Sequence, residues 1–246
     1  MSNANSAMDP EFVKFMAHAT ECDLVSFTPK CEPPDELKEF YFDRIGNEND
    51  DLTDIAWSTR TQFLCPDWHK LRKLRLSSTK AHSVKTRKRD FKSLARQHLS
   101  NKFKGNSDTE YGIAMEPQGR AKYAELQQEQ IIEVGLVICR KIPWLCASPD
   151  GIIVTKNSSG TLRYKLLEIK SPSSRKGEHL IDINDGYSSL PYLEIQNGSV
   201  HLKRSHPYFT QIQVSMLVTN VTECDLVIQS LVDFVECTGK SDEIQG

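Results

Sequence analysis

At 246 residues with 38% hydrophobic content, the chain is long enough for one ordinary globular domain with a full core, and its formal net charge of -2 hides a strongly basic middle. No apolar run approaches the roughly 18 residues of a membrane span, and no charged-then-apolar leader precedes a cleavage site. The seven cysteines stand singly, without a CxxC pair or a Cys/His cluster at zinc spacing, so the composition excludes a zinc domain or disulfide scaffold and predicts a reduced, soluble protein of nucleus or cytoplasm.

In chain order, residues 1–12 (MSNANSAMDPEF) read as an expression-vector scar, excluded from fold reasoning, and residues 13–54 as an N-terminal segment without assigned structure. The folded domain is expected over 55–240. Ile55 to Phe63 and Asp67 to Leu74 have helical composition and are separated by Cys65 and Pro66. Ser77 to Val84 and Phe91 to Phe103 follow as helices, the second with Phe91, Leu94, Ala95 and Leu99 on one face. From His69 to Lys104 thirteen lysines and arginines, including Lys70, Arg72, Arg75 and Lys80, stand against one acid, Asp90. Such a run releases counterions from nucleic acid and gives sequence-independent affinity. Within it, KTRKR at Lys85 to Arg89 also matches a nuclear-localisation pattern.

The next helix is expected from Glu116 to Val134, with Pro117 in its first turn, where proline is tolerated. Strands follow from Val134 to Cys139, Trp144 to Ala147, Gly151 to Thr155 and Leu162 to Ile169. Ser171 to Arg204 is rich in Ser, Gly, Pro and Asn and reads as a long irregular connection with a short strand or two. Pro207 opens a helix running to about Val218, and strands at Cys224 to Ser230 and near Val235 close the chain. Helices on both sides of a strand cluster describe an α/β domain with a mixed central sheet. With no GxGxxG, P-loop, HExxH or GxSxG, dehydrogenase, NTPase, zincin and serine hydrolase readings lack their minimum parts.

The chemistry concentrates in SPDG (Ser148 to Gly151) and LEIKSP (Leu167 to Pro172). The turn formers Asn157, Ser158, Ser159 and Gly160 fold the two apolar runs into a hairpin that brings Asp150 beside Glu168. Alternation along a strand puts Glu168 and Lys170 on one face, so two carboxylates and a lysine are expected at one solvent-facing spot. Carboxylates bind hard divalent cations such as Mg2+, and a lysine whose proton affinity is shifted toward neutrality can orient or deprotonate water, which suits phosphodiester hydrolysis. A bare acid-x-Lys is common, and Glu36 to Lys38 and Asp90 to Lys92 match it too. The upstream SPDG and the strand context single out this one.

These residues resemble the PD-(D/E)xK signature, in detail that of the lambda-phage-type exonucleases or YqaJ-like viral recombinase family. PDWHKLRKLRLSSTKAH, YGIAMEPQGR and HPYFTQIQVSMLVT resemble further ordered motifs of that family. The resemblance implies a restriction-endonuclease-like core, with Asp150, Glu168 and the Ile169 carbonyl as metal ligands and Lys170 as catalytic lysine. It further implies Glu116 as an additional metal-site acid, pointing differently if Pro117 sets it at a helix start, and Gln211 as a motif glutamine. At helical spacing Tyr208, Gln211 and Ser215 share one face while Phe209, Ile212 and Met216 pack inward. Arg72, Thr79 and Ser148 match a terminal 5′-phosphate site, with Ser77 and Ser78 as alternative hydroxyls, and Lys70, Arg75 and Lys80 would contact nucleic acid. The implied activity is 5′→3′ digestion of double-stranded DNA to 5′-phosphorylated mononucleotides by two Mg2+ ions, with Mn2+ as a substitute. The implied partners are duplex DNA ends, a single-strand-annealing recombinase and two further copies in a homotrimer. Two alternatives are a related endonuclease or RNA-acting nuclease, and a catalytically silent nucleic-acid-binding module.

Overall fold

The computed structural model describes residues 7–21, 34–46, 51–100 and 105–242. Cys22, Cys31, Lys102, Phe103 and Lys104 lie outside the described residues. Helix α1 (Pro10–Thr20) starts where Asp9 accepts the Glu11 amide at 2.8 Å and Pro10 occupies the first turn. Its Phe12, Phe15, Met16 and Ala19 follow helical spacing and are buried in the main core. Asp9 to Phe12 therefore belong to the fold, although the opening dozen residues resemble a vector scar. Phe12 packs edge-on against Trp57 with ring centroids 4.9 Å apart.

Helices α2 (Asp35–Arg44), α3 (Leu52–Ser58) and α4 (Pro66–Lys73) lead to strand β1 (Leu76–Ser77), then α5 (Ser78–Lys85) and α6 (Phe91–Ser100). Of the apolar face expected on α6, Leu94 is buried, but Phe91 and Leu99 are about half exposed, at 51% and 47%. Helix α7 runs from Ser107 to Gln127, capped by Asn106 and ended by Gln128 at a left-handed φ of 54°. The helix expected at Glu116 thus begins nine residues earlier and stops sooner, and Pro117 lies inside it rather than in its first turn. An interior proline costs about 3 kcal/mol in lost bonding and crowding. Local rules alone could not place it there.

Strands β2 (Gln130–Ile132), β3 (Val137–Ile138) and β4 (Leu145–Ala147) precede the hairpin of β5 (Gly151–Lys156) and β6 (Leu162–Lys170). The hairpin forms as the sequence predicts. Asn157 Oδ1 accepts the Ser159 and Thr161 amides, and Gly160 supplies the positive φ of the turn. The connection, expected to be irregular with a short strand or two, carries four short strands in two small hairpins, β7 (Ile181–Asp182) with β8 (Tyr187–Ser188) and β9 (Leu193–Gln196) with β10 (Ser199–Leu202). Helix α8 (Pro207–Thr219) then leads to β11 (Glu223–Gln229) and β12 (Phe234–Lys240).

The main sheet has the order β12-β11-β6-β5-β2, with β6 and β11 parallel and every other pair antiparallel. Helix α8 is the crossover that a parallel β6–β11 pair requires. Both faces of this sheet are covered. Leu166, Ile152, Leu226 and Ile228 join the core that contains Ile212 and Met216 of α8. Leu167, Ile169, Ile153 and Val227 pack with Tyr123 of α7 on the other face. A smaller sheet, β1-β4-β3, sits beside it. Among the described residues no helix is long and apolar enough to cross a membrane.

Candidate active site

The register of β5 on β6 pairs Gly151 with Leu167, so Asp150 falls opposite Glu168 at the sheet edge where β6 and β11 end. Asp150 Oδ2 accepts the Ile169 amide at 2.6 Å. Glu168 Oε1 accepts hydrogen bonds from Lys170 Nζ and from Gln211 Nε2 of α8, the latter at 2.5 Å. Lys170 Nζ also lies 4.8 Å from the centre of the Tyr208 ring. The pair is not on a solvent-facing spot as the strand alternation suggested. Glu168 is only 3% exposed, because the face it shares with Leu166 is roofed by α8. On α8 itself Gln211, Ser215, Ile212 and Met216 are all buried, while Phe209 lies beneath the Arg204 guanidinium rather than in the core.

Glu116 reaches the same place from the middle of α7. Arg120, one turn on, donates from Nη2 to Glu116 Oε1 at 2.5 Å, from Nε to the Asp150 carbonyl at 2.8 Å, and bridges to Glu133 at 3.1 Å. Burial and the charges of Glu168 and Glu116 raise the Asp150 pKa well above the usual carboxylate value. Burial likewise raises Glu116, although Arg120 opposes the shift. For Lys170 burial pulls toward neutrality, but Glu168, Asp150 and Tyr208 reverse it and hold the ammonium above the ordinary lysine range. Here its acidic partners outweigh its burial.

Among the described residues no group of three or more His, Cys, Asp and Glu side chains is arranged to hold a metal ion. Glu168 and Glu116 each have an oxygen engaged by a cationic side chain. The donor chemistry nevertheless fits a hard divalent cation. Asp150, Glu168 and Glu116 offer only oxygen, and their mutual repulsion is what such a cation relieves.

A cleft of about 500 Å3 is lined by Trp68, His69, Arg72, Thr79, Lys80 and His98 among others. Arg72 Nη2 donates to Thr79 Oγ1 at 2.6 Å while its guanidinium sits 4.6 Å from the Trp68 ring centre. Thr79 is the exposed hydroxyl of the three considered; Ser77 and Ser78 are buried. Trp68 Nε1 donates to Ser148 Oγ at 2.8 Å, which joins the cleft to the turn bearing Asp150. Burial lowers the Arg72 pKa, a cost that a bound anion would offset. Lys80 lines the cleft, and Lys70 is exposed and paired with Asp67 at 2.8 Å.

Arg75 is not a surface contact. It is 4% exposed and donates to the carbonyls of Pro143, Leu71 and Ile45 at 2.9 to 3.1 Å. These contacts hold it inside the fold, and nothing in composition distinguishes it from its basic neighbours. The residues that sequence reasoning passed over are Arg120, Gln62 and His98. Arg120 had a signal, its i,i+4 spacing from Glu116; Gln62 and His98 had none.

A family model of the YqaJ-like viral recombinase domain matches residues 67–222. Two crystal structures of LHK-Exo, an alkaline exonuclease from Laribacter hongkongensis, are similar in fold at 21% identity. One, in complex with dAMP, gives a TM-score of 0.54, the other 0.53, and each alignment covers 73% of this chain and 84% of that one. The restriction-endonuclease-like α/β core expected from the sequence is thus the observed fold. An uncharacterized protein of Acanthamoeba polyphaga mimivirus is 29% identical over 128 residues, 51% of this chain and 20% of that protein. The match therefore spans about a fifth of the length of that curated relative. With the family model extending over more than half of its residues, the chain belongs to the YqaJ-like viral recombinase domain family.

Proposed function

We propose that this domain is a metal-dependent nuclease that digests duplex DNA from a 5′ end and releases 5′-phosphorylated mononucleotides. The observation that carries the reading is the convergence of Asp150, Glu168, Lys170, Gln211 and Glu116, joined through Ser148 and Trp68 to an arginine-bearing cleft. Asp150, Glu168, the Ile169 carbonyl and Glu116 would hold two Mg2+ ions, or Mn2+ in their place, which would neutralise charge developing on the phosphate oxygens. Arg72, Thr79 and Ser148 would hold the terminal 5′-phosphate, where a guanidinium and hydroxyls match its oxygens. Lys80 and Lys70 would contact the phosphates that follow.

Lys170, held beside Glu168 and Asp150, would orient the attacking water or a phosphate oxygen, or take the proton of that water once bound cations neutralise its acidic neighbours. Gln211 fixes Glu168 so that Lys170 has one place to sit. The test is digestion of linear duplex, labelled separately at each end and carrying or lacking a 5′-phosphate, in Mg2+ or EDTA, with a covalently closed circle as control. Loss from 5′ ends, abolished by EDTA and by Lys170→Ala, supports the reading. A cut circle would replace it with an endonuclease, and an uncut but bound duplex with a binding module. A homotrimer would show in light scattering and in processive digestion.

A further inference from the structure

The turn that carries Asp150 is held by side chains from two other parts of the chain: Gln62, which lies outside the motifs that mark the site, and Arg120, which closes YGIAMEPQGR. Gln62 Nε2 donates to the carbonyls of Pro149 at 2.9 Å and Val134 at 3.0 Å. Arg120 Nε donates to the next carbonyl of the turn, that of Asp150, at 2.8 Å, and its Nη2 holds Glu116 at 2.5 Å. Successive carbonyls of the turn are therefore pinned from two separate elements, the segment after α3 and α7.

Gln62 does this from a backbone conformation that glutamine rarely adopts. Its φ is 41°, in the left-handed region that favours glycine. Gln128 and Asn220 have positive φ as well, but they end helices, where that conformation is routine. A glycine at 62 would take the conformation without strain. What glycine lacks is the amide that reaches Pro149. Strain of this kind persists where surrounding structure over-determines it, characteristically at functional sites.

We infer that Gln62 and Arg120 are positioning residues, a two-sided clamp that holds the Pro149–Asp150 turn, and through Arg120 also Glu116, in place to receive a divalent cation. The inference rests on the metal-dependent reading of the site. The β5–β6 register sets Asp150 opposite Glu168, and Arg120 ties Glu116 to the Asp150 carbonyl, so three carboxyl groups share the site and a turn free to move would carry Asp150 away from the others. Pinning the backbone on both sides opposes that drift, so less ordering remains to be done on binding.

The test measures Mn2+ binding by calorimetry and thermal unfolding in EDTA on the full chain without DNA. Gln62→Gly is expected to leave the melting temperature unchanged or raised, while weakening Mn2+ binding about tenfold, the lower end for residues that support metal ligands. Arg120→Ala should weaken binding similarly, and by less in a Glu116→Ala background, because part of its action passes through Glu116. Should Arg120→Ala fail to fold, Arg120→Lys keeps the charge without the fork and carries the same expectation. Unchanged affinity in Gln62→Gly and Arg120→Ala, when Asp150→Ala abolishes binding, overturns the inference alone. So does a Gln62→Gly protein whose weaker binding comes with an equivalent loss of melting temperature, since that makes Gln62 merely structural. If the wild type binds no Mn2+, or Asp150→Ala leaves binding intact, the metal-dependent reading falls and the inference with it.

Discussion

Asp150→Asn should make the metal-free protein more stable and the metal-loaded one less so. Asparagine keeps an acceptor for the Ile169 amide, now 2.6 Å from Asp150 Oδ2, but removes the charge that faces Glu168 and Glu116. Two charges about 5 Å apart at an effective dielectric near 20 repel by about 3 kcal/mol. The attraction of Lys170 offsets one of the two repulsions, so roughly one remains. Because the pKa of Asp150 is raised, its folded-state carboxyl holds a proton at pH values where the unfolded one has lost it. Its contribution is therefore most favourable below about pH 3.9 and erodes as pH rises through the folded value. The uncharged amide of the variant escapes that loss. In EDTA the advantage of the variant over wild type should be near zero at pH 4 and grow with pH, by at most about 1.4 kcal/mol per pH unit. Mg2+ at ten times its dissociation constant should return about 1.4 kcal/mol to the wild type and nothing to the variant. Urea denaturation of both proteins at pH 4, 6 and 8, in EDTA and in Mg2+, reads every one of these differences. A variant less stable than wild type in EDTA at pH 8, or one that Mg2+ stabilises equally, would refute the reasoning.

Arg72→Lys removes the fork that meets Thr79 and stacks on Trp68, so discrimination between 5′-phosphorylated and 5′-hydroxyl ends should fall about tenfold, read as the ratio of kcat/KM for the two duplexes. Arg75→Ala strips donors from three part-buried carbonyls and should cost about 2 kcal/mol in urea denaturation, while the salt dependence of DNA binding stays as in wild type. Tyr123→Phe deletes the 2.6 Å hydrogen bond to Asp225, which is 0% exposed, but leaves Lys165 and Thr238 in place; a loss of about 2 kcal/mol is expected, and a change near zero would mean the hydroxyl contributes nothing net. For Asp233, burial alone would raise the pKa, but the Leu180 and Ile181 amides and the His179 ring hold it below the ordinary value. Asp233→Asn should therefore cost about 1 kcal/mol above pH 4, a difference that shrinks as acid titration carries the wild-type carboxylate through its lowered folded-state pKa.

The elements that were legible in advance are those whose signal is local. The 157–160 turn, the proline-opened helix at Pro207 and the two closing strands stand almost where their residues placed them, and so does the pairing of Asp150 with Glu168. Turn chemistry, capping and alternation act within a few residues and need no knowledge of the rest of the chain. Short pieces were harder. The small hairpins at 181–202 carry too few alternating residues to fix the number and bounds of their strands, so only a short strand or two registers in advance.

What only the tertiary structure decided is how distant groups share space. Composition could supply a lysine beside two acids, but it took the packing of α8 over β6 to bury Glu168, and the nearness of those acids, not burial, to set the direction of the Lys170 shift. Pro117 sits mid-helix although its own preference is for a helix start. Arg75 is indistinguishable from twelve other basic residues in the run until three backbone carbonyls are seen around it. Gln62 has no motif at all, because its partners at Val134 and Pro149 are 72 and 87 residues away. Residue identity and spacing determined which chemistry this protein carries; burial and long-range hydrogen bonds, which no local pattern encodes, decided the protonation and position of the groups that carry it.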